Sequence, residues 1–307
     1  MNQILQVGPD RARDVLAVIH GAFGDRPALD PPATAMDETE ESVAEALAQH
    51  GGLLGEIDGR PVGTLLFLPW DDMLGLRRVG TLEEGRSTGI AQALVAAAEE
   101  EAAIRGYNGV RLMARQELPA TIRFWERLGY HEAGRDGPQI YLRKLLPVRI
   151  EVPGPGAAHE LGRRLAGVLR AGDLVILTGD LGAGKTTVTQ GIGAGLGVRG
   201  DVTSPTFVIA RVHPSLGEGP ELVHVDAYRL GDSAELDDLD LDTDLDLAVT
   251  VVEWGEGLAE SLAEDRLEVA INRDAEGGTE TRQVRVTALG SRWFDARLAD
   301  ALTPTLA

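Results

Sequence analysis

The stretch Gly179-Asp180-Leu181-Gly182-Ala183-Gly184-Lys185-Thr186-Thr187 constrains this chain more than any other. It follows an apolar run, Leu174-Val175-Ile176-Leu177-Thr178, which reads as a buried strand, and precedes Val188-Thr189-Gln190-Gly191-Ile192, which continues as a helix. Strand, glycine-rich turn and helix, with the pattern G-x4-G-K-[ST], are the parts of a phosphate-binding loop. Glycine lets successive backbone N–H groups turn inward around phosphate oxygens, and the helix N-terminus adds partial positive charge. The glycines of this loop are therefore expected to aim backbone N–H groups at the phosphates of a nucleotide. Lys185 is expected at the β- and γ-phosphates and the Thr186 hydroxyl on Mg²⁺. Lys144 and Lys185 are the only lysines in the chain, so a chance occurrence of the pattern is rare.

At 307 residues the chain has room for two domains. It contains no cysteine, which excludes disulfides, thiolate metal sites and a cysteine nucleophile. The formal charge of −20 argues against this chain holding RNA or DNA by itself, because polyanions are bound by clustered Lys and Arg. A phosphate-binding loop is compatible with that charge, since its N–H groups, one Lys and Mg²⁺ act locally. Met1 to Val7 lacks the zones of a signal peptide, and no apolar run approaches bilayer length. The expectation is a cytoplasmic protein with no membrane partner.

Ahead of residue 146 the pattern mixes helices and strands. Asp10 to Phe23 and Glu41 to Ala48 have helical spacing; Gly52 to Ile57 and Val62 to Leu68 read as strands joined by the turn Asp58-Gly59-Arg60-Pro61. A third strand over Leu74 to Leu82 leads into Glu84-Gly85-Arg86-Ser87-Thr88-Gly89-Ile90-Ala91 and an Ala-rich helix reaching about Arg105. Val110 to Ala114 is a strand, Pro119 to Leu128 a helix and Gln139 to Leu145 a closing strand. This order, with Arg86-x-x-Gly89-x-Ala91 and Phe124-Trp125-Glu126-Arg127-Leu128-Gly129-Tyr130, resembles the GNAT acetyltransferase family. The resemblance implies a mixed sheet with helices. It also implies that Arg86, Gly89 and Ala91 stand at the pyrophosphate of acetyl-CoA, facing backbone N–H groups of a helix N-terminus. Trp125 stands where many members have a general-acid Tyr, and an indole N–H cannot protonate a thiolate near neutral pH. Leu118 stands where Asn is common, and Ser87-Thr88 replace the usual second glycine. Acetyl transfer and a fold kept for binding or packing both remain open for residues 1–146. Glu83 and Glu84 are candidate bases or plain surface carboxylates.

The join Leu146 to Gly156 is rich in Pro and Gly, with a strand over Arg149 to Val152, so a second domain is expected over residues 147–307. Ala157 to Leu169 is an amphipathic helix. After the glycine-rich turn come Ser204-Pro205-Thr206-Phe207, then Val225-Asp226-Ala227-Tyr228-Arg229-Leu230, then Val252-Glu253-Trp254-Gly255. Both apolar runs, Leu222 to Val225 and Thr250 to Val252, deliver an acid at their ends, where Mg²⁺ and a water must be held. These four ordered motifs resemble the bacterial TsaE family. That family is the ATPase component of the machinery that makes threonylcarbamoyladenosine beside the tRNA anticodon.

The resemblance implies a P-loop NTPase α/β domain following the GNAT-like one. It implies that Gly182, Ala183, Gly184, Lys185, Thr186 and Thr187 wrap the phosphates, that Thr186 and Glu253 hold Mg²⁺ and that Asp226 orders Mg²⁺-bound water or the attacking water. It further implies that Thr206 senses the γ-phosphate, that Trp254 packs on adenine and that Arg282 lies near the nucleotide. The implied partners are the transferase TsaD and its companion TsaB, with tRNA met only through that complex and no DNA. The plainer alternatives are a turn cap for Asp226, a solvated strand end for Glu253, a core residue for Trp254 and a turn residue for Thr206. Two other functions fit a phosphate-binding loop: a small-molecule kinase, or a protein N-acetyltransferase with a regulatory nucleotide domain. No lid segment suggests the kinase. The run Asp237 to Asp246 lacks the Gly and Glu of an EF-hand and reads as a solvated acidic segment. The scattered histidines show no zinc spacing. Trp293-Phe294 is expected to anchor the C-terminal segment.

Overall fold

The computed structural model describes residues 2–24, 26–27, 29–205, 208–231, 235, 246–273 and 280–303. It separates into two compact units, Met1–Leu146 and Pro147–Ala307. Thr206, Phe207 and all of the acidic run except Asp246 lie outside the described residues.

The first unit contains β1 (Asn2–Val7), α1 (Ala12–Gly24), α2 (Glu40–His50), β2 (Gly52–Ile57), β3 (Arg60–Trp70), β4 (Met73–Thr81), α3 (Ile90–Ile104), β5 (Gly109–Arg115), α4 (Pro119–Arg127), β6 (His131–Asp136) and β7 (Gln139–Leu145). Their sheet order is β1-β2-β3-β4-β5-β7-β6, with β4 and β5 parallel and the other pairs antiparallel. The period of two sorts the core. Leu53 and Leu65 face the cluster formed with Leu94, Val95 and Ala98 of α3, whereas Leu54 and Leu66 face Val15, Ile19, Val43 and Leu47 of α1 and α2. Asp58 and Gly59 both take positive φ, as a two-residue turn between right-twisted strands requires. α2 begins at a capping box in which Thr39 and Ser42 exchange side-chain to backbone bonds.

The β4–β5 pairing runs only from Met73↔Gly109 to Leu76↔Leu112. Just beyond it the β3–β4 register slips, and Arg78 adopts a φ of 53°. Such a bulge bends its strand. A cleft of about 460 Å³ opens there, lined by Leu76, Arg78, Met113, Arg115 and Trp125 among others.

The second unit contains β8 (Val148–Val152), α5 (Pro155–Ala166), β9 (Leu174–Thr178), α6 (Lys185–Leu196), β10 (Ala210–His213), β11 (Glu221–Asp226), β12 (Ala248–Glu253), β13 (Arg266–Arg273), β14 (Arg282–Leu289) and α7 (Leu298–Leu302). The sheet order is β10-β11-β12-β9-β13-β14-β8. The four central strands β11, β12, β9 and β13 are parallel and the outer pairs antiparallel. Leu174 to Leu177 are all buried, as strands covered on both faces demand. α5 and α6 meet backbone to backbone: a side chain at Gly162 would strike the Val188 carbonyl, and one at Gly191 the His159 carbonyl. Trp293 is fully buried, as expected of an anchor. Among the described residues no helix is long and apolar enough to cross a membrane.

Candidate functional site

Parallel order decides where the chemistry collects. β11, β12 and β9 are neighbours, and their registers set Asp226 opposite Glu253 and Glu253 opposite Leu177. The C-terminal ends of three adjacent strands thus present Asp226, Glu253 and the glycine-rich loop side by side. α6 starts directly from that loop, with Gly184 as its N-cap. Gly179, Gly182 and Gly184 take φ values of 138°, 73° and 112°, in the left-handed region open to glycine. The consequence is a loop of inward-turning backbone at the N-terminus of a 12-residue helix.

Lys185 is almost buried. Its Nζ donates to the carbonyls of Gly179 and Asp180 at 2.7 and 3.0 Å and lies 3.5 Å from the centroid of the Trp254 ring. Burial lowers its pKa from the ordinary lysine value; Glu253, Asp226 and Asp180 oppose that shift. Thr186 Oγ1 donates to Glu253 Oε2 at 3.0 Å. The other carboxylate oxygen, Oε1, receives His224 Nε2 at 2.8 Å and lies 3.1 Å from Thr189 Oγ1. Glu253 is only 2% exposed, so it is not a solvated strand end. Asp226 is also buried: Ser204 Oγ donates to Oδ2 at 3.0 Å, and the Tyr228 N–H donates to Oδ1 at 3.2 Å. Asp226 therefore does cap a turn, and it does so while facing the same corner as Glu253.

Trp254 is held at a φ of 63°, a conformation rare for a bulky residue, with its ring 5.1 Å from that of Tyr228. Its observed neighbours are the Lys185 ammonium and Tyr228. Arg282 opens β14 opposite Arg273. It is Arg273 that reaches the loop, donating from Nη2 to the Leu181 carbonyl at 3.1 Å; Arg282 bonds the adjacent Thr281 carbonyl. Thr206 lies outside the described residues. Sequence reading overlooked Ser204, Thr189, His224 and Arg273. The first belongs to the Ser-Pro-Thr-Phe motif, and the second falls one helical turn after Lys185, so spacing alone could have raised it.

The donors fit the groups that such a loop implies. Thr186 Oγ1 and Glu253 Oε2 are hard oxygen ligands 3.0 Å apart at the start of α6, the chemistry Mg²⁺ takes. Backbone N–H groups and one ammonium fit a polyphosphate.

In the first unit, Arg86 follows a short turn of 3-10 helix and Gly89 N-caps α3 at a φ of 84°. Ser87 takes a φ of 61°, so it adopts the left-handed conformation that the usual glycine would supply. Thr88 Oγ1 donates to the Gly85 carbonyl at 2.8 Å and closes the turn. Ala91 lies in the first turn of α3, partly buried. Glu83 and Glu84 are exposed. Trp125 is buried, its ring edge-on to those of Phe124 and Tyr130, and it forms one wall of the β4–β5 cleft.

The second unit thus has the fold and the loop of a P-loop nucleotide-binding protein. Residues 153–284 match the family "Threonylcarbamoyl adenosine biosynthesis protein TsaE", and residues 23–130 match the "Acetyltransferase (GNAT) family". The chain is 69% identical over 141 residues to a tRNA threonylcarbamoyladenosine biosynthesis protein TsaE of Streptomyces coelicolor, covering 45% of this chain and 95% of that one. It is 39% identical over 140 residues to the Bacillus subtilis protein of the same name, covering 45% and 84%. Among solved structures, Bacillus subtilis YdiB matches at 31% identity and a TM-score of 0.40, over 51% of this chain and 94% of that one. The PaiA N-acetyltransferase of Thermoplasma acidophilum with coenzyme A matches at 14% identity and a TM-score of 0.43, over 48% and 99%. The chain belongs to the TsaE family through its second unit, and its first unit is a GNAT-like domain fused ahead of it.

Proposed function

We propose that this protein is the ATPase component of tRNA threonylcarbamoyladenosine synthesis, coupling ATP binding and hydrolysis to turnover of a TsaD–TsaB transferase complex. The observation that carries the reading is the Thr186–Glu253 contact beside Lys185, at the mouth of a glycine loop. Thr186 and Glu253 would hold Mg²⁺, which neutralises charge on the phosphates when bound. The loop N–H groups from Gly182 to Thr187 orient the phosphates, and Lys185 moves off Trp254 to meet the charge that develops on the γ-phosphate. Asp226, fixed by Ser204, orders the attacking water; Thr206 senses the γ-phosphate from the neighbouring loop. Trp254 borders the nucleotide, and Arg273 rather than Arg282 reaches the loop. Function in tRNA modification implies a cytoplasmic protein that meets tRNA only through its partners.

The fused domain is read as an acyl-CoA module. Arg86, Gly89 and Ala91 frame the pyrophosphate, and the β4–β5 cleft takes the thioester arm of acetyl-CoA. Calorimetric titration of the full chain with acetyl-CoA tests this, with Arg86→Ala as the control.

The decisive experiment mixes this protein with TsaD, TsaB, ATP, tRNA and the threonylcarbamoyl donor. Multiple turnovers are expected with the parent chain and a single turnover or fewer with Lys185→Ala. Hydrolysis with no effect on modification would move the assignment to a kinase or to other partners.

A further inference from the structure

Glu253 has two oxygens in different situations. Oε2 accepts from Thr186 and faces the start of α6; Oε1 is turned into the protein, 2.8 Å from His224 Nε2 and 3.1 Å from Thr189 Oγ1. Thr189 Oγ1 also lies 3.1 Å from the Lys185 carbonyl, so its one proton serves two acceptors. Among the described residues His224 is thus the only donor given wholly to Oε1. Its side chain is completely buried, and its Nδ1 has no partner among the described residues. A buried imidazole with one occupied nitrogen has its tautomer set by that bond: the proton belongs on Nε2. The strand register explains the meeting. His224 and Glu253 lie two residues apart in the ladder of the parallel strands β11 and β12, on the face turned toward α6.

We propose that His224 is a positioning residue for Mg²⁺. By holding Oε1, it fixes the plane of the Glu253 carboxylate so that Oε2 alone is presented to the metal beside Thr186. This deepens the ATPase reading and rests on it. A carboxylate without that donor can rotate and turn either oxygen inward, and loss of such an outer partner typically weakens a metal site about 10- to 100-fold. Nucleotide held through the loop N–H groups and Lys185 does not depend on His224.

The test uses the full chain and the variants His224→Leu and His224→Gln. Leucine removes the donor; the glutamine amide nitrogen restores one near the Nε2 position. Calorimetry measures ATP affinity in EDTA and then across a Mg²⁺ series. The expected result for His224→Leu is an unchanged affinity in EDTA, within about twofold, and a Mg²⁺ requirement raised about tenfold or more. His224→Gln is expected to lie within about threefold of the parent. In the parent, imidazole ¹⁵N shifts are expected to show the proton on Nε2. A Mg²⁺ requirement unchanged in His224→Leu, or a glutamine variant as impaired as the leucine one, overturns the positioning role while leaving the ATPase reading intact. Should the leucine variant not fold, the glutamine variant and the tautomer still decide: an Nε2 without a proton overturns the proposal. If the parent chain itself shows no Mg²⁺-dependent ATP binding, the ATPase reading fails and the proposal with it.

Discussion

The Lys185 ammonium rests 3.5 Å from the centroid of the Trp254 ring. A cation over an indole face is stabilised by roughly 0.5–2 kcal/mol depending on desolvation. Nucleotide phosphates compete for the same ammonium with full negative charge, so binding is expected to draw Lys185 off the ring. Of the four tryptophans, Trp70, Trp125 and Trp293 belong elsewhere in the chain. The intrinsic fluorescence is therefore expected to change on adding ATP, and the change is expected to vanish in Trp254→Phe with ATP binding largely kept. An undiminished signal in Trp254→Phe would show that Lys185 leaves the ring without consequence, or does not leave it.

Thr186 and Glu253 meet at 3.0 Å. Thr186→Val removes a hard oxygen, and Glu253→Gln removes the charge at nearly constant shape. Metal stabilisation of a phosphoryl transition state is worth several kcal/mol, so both variants should lose ATP hydrolysis by about 100-fold or more. Nucleotide binding in EDTA should persist in both. Wild-type hydrolysis in Glu253→Gln would remove that residue from the metal site.

How far the sequence exposed this site depends on which signals it carries. The loop, Asp226 and Glu253 were legible because apolar runs ending in an acid mark strand ends, and glycine spacing marks the turn. The pairing of His224 with Glu253 was not, since it is created by parallel register between segments 29 residues apart. Strands β13 and β14, inside their sheet, were not delimited from the sequence, and three more strands escaped it altogether: β1, β6 and β10. Each of these three lies at the edge of its sheet. An edge strand has one neighbour and little buried side-chain area, so its sequence need not alternate; His131-Glu132-Ala133-Gly134-Arg135-Asp136 is an instance. The extent of α6 was also hidden. Gly191, Gly193 and Gly195 argue against a helix by propensity. They are there because a side chain would collide with α5 at the first and third, and with Val202 at the second.

That close approach gives a stability prediction separate from chemistry. At Gly191 a Cβ would run into the His159 carbonyl and lie 2.9 Å from the Gly162 Cα, and both are backbone atoms that cannot swing aside. Overpacking of this kind costs about 1–3 kcal/mol or more. Gly191→Ala should therefore destabilise the second unit in denaturant melts although alanine is the better helix former. Gly197→Ala, where nothing lies within 4 Å, should cost only the strain of its φ of 71°.

In the first unit, Glu38 ties the segment between α1 and α2 to the β4 bulge. Burial pushes its pKa up, but Ser42 Oγ at 2.7 Å, Arg78 at 2.7 Å and Arg77 at 3.2 Å together outweigh burial and hold it below the usual carboxylate value. A depressed folded-state pKa means that the native state binds the proton less readily than the unfolded chain. The stabilisation is thus fully present above the unfolded value of about 4.3 and is lost as the pH falls through the lower folded value. Glu38→Gln keeps the shape and removes the charge, so at pH 7 it should cost about 2 kcal/mol, the scale of hydrogen bonds to a charged acceptor. Amide hydrogen exchange in α2 and β4 would read that loss locally. The gap between parent and variant should close as the pH is lowered through the carboxylate range, because a protonated Glu38 makes nearly the contacts of glutamine. A gap that stays constant down to pH 3 would show that packing, and not the charge, ties this segment to β4.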